Sequence, residues 1–418
     1  MKMRILWVKA GKLLPLDTGG RIRSYNILKH LASRHEVTFL SYYSGKRDLA
    51  YEEEIDRDLP GSFSLHIGRR DTTTALEWID YIRHLPSSAP YAVSKFTSTT
   101  VRRIVGKWIS QQRFHVAVCD FLSASRNFPP ALATPTVLFQ HNVESILWRR
   151  QNEHEPNVIK RLAFKIEAAK MQRYERLALD RFHHVLAVSE NDRNEMAAMT
   201  DRSRISVVPT GVDLSRYKGG DQHPPSRPLV TFLGSMDWEP NIDGVLYFCR
   251  EVWPAIRAAV PGVEFRIVGR NPHPKIKALA TDSIEVTGSV PSVIEHLAET
   301  TVFIVPLRIG GGTRLKILEA MAMGKATVWT SIGAEGLDVN DGSDILIADT
   351  PDSFSQSIIR VLTDQQLRKR LEAAAARTAS QYDWSVVAAR FEAILRNVAG
   401  DPSKIRSAAS ATVPMMNL

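Results

Sequence analysis

The chain has 418 residues, too many for one ordinary hydrophobic core and enough for two domains. It is 44% hydrophobic and 24% charged, the balance of a soluble globular protein, and its two cysteines, Cys119 and Cys249, exclude a disulfide framework and fit a reducing compartment, with the cytoplasm as the default. The formal charge of +9 points to an anionic partner, but the sign alone does not choose among nucleic acid, anionic lipid and a phosphorylated small molecule.

Taken in chain order, MKMRILWVKAG places basic residues before a short apolar run that Lys9 interrupts. That run lacks the length and cleavage site of a signal peptide and reads as a first buried strand. PLDTGGRIRSYNILKHLA follows, a loop with Gly19 and Gly20 leading into a helix from about Arg21. Further strands are expected at VTFLSYY (Val37 to Tyr43), HVAVCDF (His115 to Phe121), TVLFQHN (Thr136 to Asn142) and HVLAVS (His184 to Ser189). Between the first two of these, YEEEIDRDLPG reads as a solvated acidic helix, so Asp56 and Asp58 are rejected as metal ligands. His141 ends a parallel strand, where polar side chains face a ligand crevice or simply satisfy a loop, and the rule alone leaves both open. The stretch from Trp148 to Phe182 is helix-compatible and carries nine Lys and Arg against five Asp and Glu. Its interleaved apolar residues suit either a core helix with a solvated basic face or a surface for anionic lipid.

A polar, Pro- and Gly-rich segment, LSRYKGGDQHPPSRP (Leu214 to Pro228), marks the break between the two halves. Strands resume at LVTFLGS (Leu229 to Ser235), EFRIVG (Glu264 to Gly269), IEVTGSV (Ile284 to Val290), VFIVPL (Val302 to Leu307) and ATVWTSIG (Ala326 to Gly333). The alternation of apolar runs with helix-like stretches predicts two doubly wound parallel sheets. After Asp349 the pattern is helical, and the tail from Gly400 is expected to be disordered. No uninterrupted apolar run approaches the ~18 residues of a spanning helix.

The segment RIGGGTRLKILEAMAMGKA, from Arg308, combines a run of three glycines with four cations and one acid. It is not a P-loop, because Lys316 follows Gly312 by four and no glycine stands at the required distance before Gly324-Lys325. No stretch supplies a dinucleotide GxGxxG fingerprint in the right place either. What remains is a strand feeding a glycine loop that opens a helix near Thr313 or Arg314, a geometry that favours a bound anion, with Arg314 and Lys316 adding fixed charge. Glu319, on an otherwise apolar segment, needs a partner; it either accepts two ribose hydroxyls, as a carboxylate can, or simply satisfies the helix dipole as a first-turn acid, and its position alone leaves both open.

VVPTGVDLSRY (Val207 to Tyr217), FLGSMDWEPNIDGVLYF (Phe232 to Phe248), FRIVGRNP (Phe265 to Pro272), VTGSVPSV (Val286 to Val293), GGGTRLKILEAMAMG (Gly310 to Gly324) and GAEGL (Gly333 to Leu337) occur in a characteristic order. In this the chain resembles the retaining glycosyltransferases of family 4, in the bacterial group linked to cell-surface or exopolysaccharide synthesis and exosortase systems. The resemblance implies the GT-B fold: an α/β protein of two Rossmann-like domains facing across a cleft, residues 1–210 on the acceptor side and 211–381 on the donor side. A C-terminal helix at about 382–398 would cross back to the first domain, ahead of a tail at 400–418.

By that resemblance Glu319 is similar to the second acid of the family's Glu-x7-Glu motif, which holds the donor ribose. The first acid falls on Gly311, so this chain departs from the pattern and leaves the backbone of Gly311, Gly312 and Thr313 as replacement donors to the sugar. The segment after Gly234 lacks the family's Arg and Lys and offers Asn241, so Arg314, Lys316 and Arg270 take over the diphosphate charge. Val290 is similar to the position that touches the nucleobase, His141 to the crevice histidine, and Gly19-Gly20 to the glycine loop by the phosphates.

The expected activity is metal-independent, retaining transfer of a hexose-type sugar from a nucleoside-diphosphate sugar, its substrate, with no cofactor. His141, Arg314 and Lys316 are expected to be catalytic. The acceptor is expected to be lipid-linked or a glycan at the inner membrane face, with the protein peripheral there and no nucleic-acid partner. A GT-B sugar-nucleotide epimerase and a catalytically silent sugar-nucleotide-binding protein are the alternatives.

Overall fold

A computed structural model describes residues 2–68, 74–154, 157–217, 227–309 and 315–400. The chain forms two compact units, one of Met1–Val208 with the chain from Ala388 onward, the other of Pro209–Val387. Each is built on its own parallel sheet.

The first sheet has seven strands: β1 (Arg4–Ala10), β2 (Glu36–Tyr43), β3 (Phe63–His66), β4 (Val116–Asp120), β5 (Thr136–Phe139), β6 (His184–Ala187) and β7 (Ile205–Val207). They lie in the order β3-β2-β1-β4-β5-β6-β7. Strands covered on both faces need continuous apolar runs, and β4 and β5 are buried at every position. On one face Leu6, Val8, Leu138 and Val185 pack with Val105, Ile109 and Leu179 from flanking helices. On the other, Phe391 of the helix Trp384–Gly400 stacks on Trp7 at 5.4 Å and meets Phe139 edge-on at 5.1 Å. Each ring so buried contributes about 2 kcal/mol. His35 and Arg396 pair with Glu392 on the same helix, at 3.1 and 2.7 Å.

The second sheet has six strands, β8 (Leu229–Leu233), β9 (Glu264–Val268), β10 (Ile284–Gly288), β11 (Val302–Val305), β12 (Ala326–Trp329) and β13 (Leu346–Ile347). Their order is β10-β9-β8-β11-β12-β13. Val230, Phe265, Ile304 and Val328 form its centre, closed by Phe248, Trp253 and Phe354. Pro209 to Tyr217 belong to this unit because Val212 bridges to the chain before the last helix, its N–H donating to Tyr382 O at 2.8 Å. Gly211 fits there only as glycine, since a Cβ would stand 2.5 Å from the Trp384 ring.

Three strands absent from the sequence reading, β3, β7 and β13, lie at sheet edges and are four, three and two residues long. Runs that short carry no readable alternation. The stretch from Trp148 to Phe182 contains the end of the helix Glu144–His154 and the whole of the helix Val158–Arg181. Its Met171 is fully buried in the first core, as the core-helix alternative requires. Leu49–Asp58 is helical as expected, and Asp58 accepts a hydrogen bond from the Tyr25 hydroxyl at 2.8 Å. The tail beyond Gly400 and the middle of the Leu214 to Pro228 segment lie outside the described residues.

Candidate functional site

In the first sheet the strand order reverses between β1 and β4, and sheets of this kind bind ligands beyond the carboxyl ends of the strands at such a reversal. Lys9 and Asp120 stand at those two ends. The Lys9 ammonium and the Trp7 indole N–H both donate to Asp120 Oδ2 at 3.0 Å. From the next strand end, His141 Nε2 lies 2.7 Å from Asp120 Oδ1, and Arg23 Nη1 lies 2.9 Å from His141 Nδ1. A guanidinium only donates, so Nδ1 is the acceptor and the ring proton sits on Nε2, directed at Asp120. Burial lowers the His141 pKa to about 4 against the opposing pull of Asp120, which fits that neutral tautomer. Burial alone would raise Asp120, but Lys9 and His141 outweigh it and hold the carboxyl far below its usual range. Burial also lowers Arg23 to about 10, opposed by Asp192 and Asp120, so it remains a cation at neutral pH.

His141 thus has both ring nitrogens occupied, and it touches a substrate with a ring nitrogen only if Arg23 moves. Its ring stacks on Phe121 at 4.7 Å and packs against Phe139 at 4.4 Å. Phe121 holds φ at 79°, a left-handed conformation that costs a residue with a side chain on the order of 1–3 kcal/mol. Gly20 completes the group: a Cβ there would meet His141 Nδ1 at 3.5 Å, an ordinary contact, so the helix start packs directly on the imidazole. Gly19 and Gly20 open the helix Gly19–Arg34, whose first turn has no acid and whose Thr18 provides no side-chain cap. Those amides are suited to an anion.

A pocket of roughly 460 Å³ adjoins this assembly, with Lys12, Arg21 and Lys95 among its charged residues and Phe96, Phe121 and Met171 among its apolar ones. Glu144 also lines it. Burial, reinforced by the neighbouring Glu175, pushes the Glu144 carboxyl up to about 7. Glu175 is fully buried and caps the helix that Glu144 begins, accepting from Glu144 N at 2.9 Å and from Ser145 N at 3.0 Å. The helix start therefore favours the Glu175 charge, which leaves Glu144 the harder of the two to ionise.

In the second sheet the reversal lies between β8 and β11. Three of the expected donor residues converge on the loop after β8. Gly234 N donates to Val268 O at 3.0 Å, Asn241 Nδ2 to Ser235 O at 2.8 Å, and Arg270 Nε to Ser235 Oγ at 3.1 Å. The approach is close: a Cβ on Gly269 would fall 1.7 Å from Gly234 O, and one on Gly234 would fall 2.6 Å from Asn241 Nδ2. Asn241 is buried and holds the loop, while Arg270 is exposed. Val290 packs, half-buried, against the core that includes Leu297 and Phe303.

Glu319 sits on the helix Leu315–Ala322 that follows β11. Lys316 Nζ stands 3.6 Å from its Oε2, which is buried and has no hydrogen-bond partner. Tyr217 hydrogen-bonds the same carboxylate, and burial followed by Glu319 raises the Tyr217 hydroxyl well above its usual value. Gly311, Gly312, Thr313 and Arg314 lie outside the described residues. Just before them, Arg308 donates from Nε to Asp243 at 3.0 Å and lies over the Tyr247 ring at 4.7 Å. Sequence reasoning missed Lys9, Arg23, Asp120, Glu144, Tyr217 and the Arg308–Asp243 pair. Of these only Asp120 and Lys9, at strand ends beside the reversal, were within reach of the rule applied to His141.

Two family models match the chain: Glycosyltransferase Family 4 over residues 18–216 and Glycosyl transferases group 1 over residues 227–364. The chain is similar to a phosphatidyl-myo-inositol mannosyltransferase of Mycobacterium tuberculosis, 27% identical over 215 residues, which are 48% of this chain and 56% of that protein. The chain thus spans little more than half the length of that relative. It is also similar to a 44.6 kDa protein in the cps region of Klebsiella pneumoniae, 20% identical over 366 residues, 85% of this chain and 90% of that one. Among solved structures, Anabaena HepE in complex with UDP and glucose shares the fold, with a TM-score of 0.62 at 15% identity, covering 94% of this chain and 100% of that one. Two Rossmann-like units, each with its polar residues at the strand reversal, are the GT-B arrangement, and the chain belongs to the family 4 glycosyltransferases.

Proposed function

We propose that the chain transfers a hexose-type sugar from a nucleoside-diphosphate sugar to a hydroxyl acceptor in cell-surface glycan synthesis, with retention of anomeric configuration. The observation that carries this reading is Glu319, whose buried Oε2 lacks a hydrogen-bond partner although it follows the strand at the sheet reversal. A carboxylate in that state is prepared to accept ribose hydroxyls. UDP bound to Anabaena HepE supports a uridine nucleotide, and the relative named for phosphatidyl-myo-inositol supports a lipid-borne acceptor.

In this reading the second unit holds the donor and the first-unit pocket holds the acceptor. The bond from the sugar C1 to the diphosphate oxygen breaks as C1 gains the acceptor oxygen on the same face. The acceptor proton passes to the departing diphosphate, so no protein carboxylate need act as base. Charge gathers on that diphosphate, and Arg314, Lys316 and the glycine-loop amides stabilise it in place of a metal ion. In the pocket, Lys12, Arg21 and Lys95 suit an acceptor carrying phosphate, and Glu144 hydrogen-bonds its hydroxyls.

A melting-temperature panel with UDP-, GDP- and ADP-sugars tests the donor site. At least one of them raises the melting temperature of the wild type, and Glu319→Ala abolishes the rise. No shift with any sugar nucleotide counts against the reading.

A further inference from the structure

The helix Val158–Arg181 contains three acids, and two of them are turned inward. Glu167 accepts from Tyr91 N at 2.8 Å and from Lys170 at 3.3 Å, and Glu175 caps the neighbouring helix. From Val158 to Leu177 the helix therefore exposes no acid, whereas Lys160, Arg161, Lys165, Arg173 and Arg176 are exposed. Val158, Leu162 and Ile166 follow one another at four-residue steps, which places them along one stripe. They are 67%, 61% and 39% exposed. Scattered surface aliphatics need no explanation, but an aliphatic stripe set among cations with no compensating acid is a different pattern.

The patch does not end with this helix. The helix Thr74–His84 lies beside it, joined by the Tyr81 hydroxyl donating to Ala163 O at 3.2 Å and by Lys170 donating to Leu85 O at 2.9 Å. It adds exposed Ile79, Ile82 and Arg83. No helix among the described residues is long and apolar enough to cross a membrane. A second copy of the chain is a poor occupant, because a two-fold contact through this stripe would set cations against cations.

We propose that the exposed faces of these two helices form a docking surface for a lipid bilayer with anionic headgroups. The aliphatic side chains enter the headgroup boundary while the Lys and Arg side chains reach the lipid phosphates. This goes beyond the transferase reading and does not rest on it, and its test uses neither donor nor acceptor, so the two can fail separately.

The test is co-sedimentation of the full chain with vesicles of phosphatidylcholine alone or mixed equally with phosphatidylglycerol. Binding is expected only to the mixed vesicles and is expected to weaken in high salt. The double variant Arg161→Glu, Lys165→Glu weakens it at least about tenfold. Leu162→Ser with Ile166→Ser weakens it by a similar factor, about tenfold, without altering the melting temperature. As a check that does not depend on lost binding, Leu162→Trp shows a blue shift in emission on adding mixed vesicles. Absence of binding to mixed vesicles, binding that ignores all four substitutions, or a concentration-dependent dimer abolished by Leu162→Ser in the absence of lipid would each overturn the proposal.

Discussion

His141 Nε2 donates to Asp120 Oδ1 at 2.7 Å, both groups buried, while Arg23 occupies the other ring nitrogen of the imidazole and Lys9 the other oxygen of the carboxylate. The histidine that resembles the family's crevice histidine is thus the central member of a buried charge assembly. Its ring packs directly beneath Gly20, at the start of the helix Gly19–Arg34.

Removing the charge at the centre should be costly. Asp120→Asn leaves Lys9 buried without its counter-ion, and breaking a buried pair typically costs about 3–5 kcal/mol. Urea unfolding should show a loss of that order. A loss below about 1 kcal/mol would mean that water reaches the assembly and that Lys9 and Asp120 behave as a surface pair.

The same histidine sets a pH dependence. Native His141 takes a proton only near pH 4, against 6.5 for the free side chain, so between those values the unfolded chain binds more protons than the folded one. Stability contributed here is present above pH 6.5 and falls as the pH drops toward 4. The urea midpoint should decline over that window in the wild type and decline less in His141→Asn. Equal slopes for the two proteins would remove His141 as the source.

Glu144 makes the opposite demand on activity. With its carboxyl raised to about 7, it is half ionised at neutral pH and gains charge as the pH rises through that value. Glu175 and Asn142 act on it directly, and Lys12, Arg21 and Lys95 line the same pocket. If Glu144 binds acceptor hydroxyls, the acceptor KM should vary with pH around 7, and Glu144→Gln should flatten that dependence while the donor KM holds. An unchanged profile in the variant would place Glu144 outside the acceptor site.

The cations ahead of Glu319 carry the largest catalytic demand. Arg314→Ala and Lys316→Ala should each lower kcat by roughly a hundredfold or more, since fixed charges aimed at a developing anion are worth that much. The melting temperature of Lys316→Ala should stay near that of the wild type, as Lys316 is exposed. Near-normal turnover in both variants would sink the diphosphate assignment.

Much of the fold was legible because buried parallel strands must be apolar throughout. LVTFLGS and EFRIVG, for example, contain β8 and β9 to within two residues at either end. The edge strands β3, β7 and β13 were not, being too short to show a period. The site was legible where glycine spacing or a lone acid on an apolar helix speaks locally, as at Gly20 and Glu319. It was illegible where chemistry depends on strand order. Lys9 and Asp120 are 111 residues apart and meet only because β1 lies next to β4, while Arg308 and Asp243 are 65 apart and belong to different elements. Lys9 appeared in the sequence only as the residue that breaks an apolar run.

The most direct measurement is release of nucleoside diphosphate from a sugar nucleotide by the purified protein, with and without a hydroxyl-bearing acceptor extracted from the source cells. A transferase releases diphosphate in proportion to acceptor added, forms a glycoside of the donor's anomeric configuration, and does so in the presence of EDTA. Release independent of acceptor, with free sugar as the product, or no release from any UDP-, GDP- or ADP-sugar, would contradict the account.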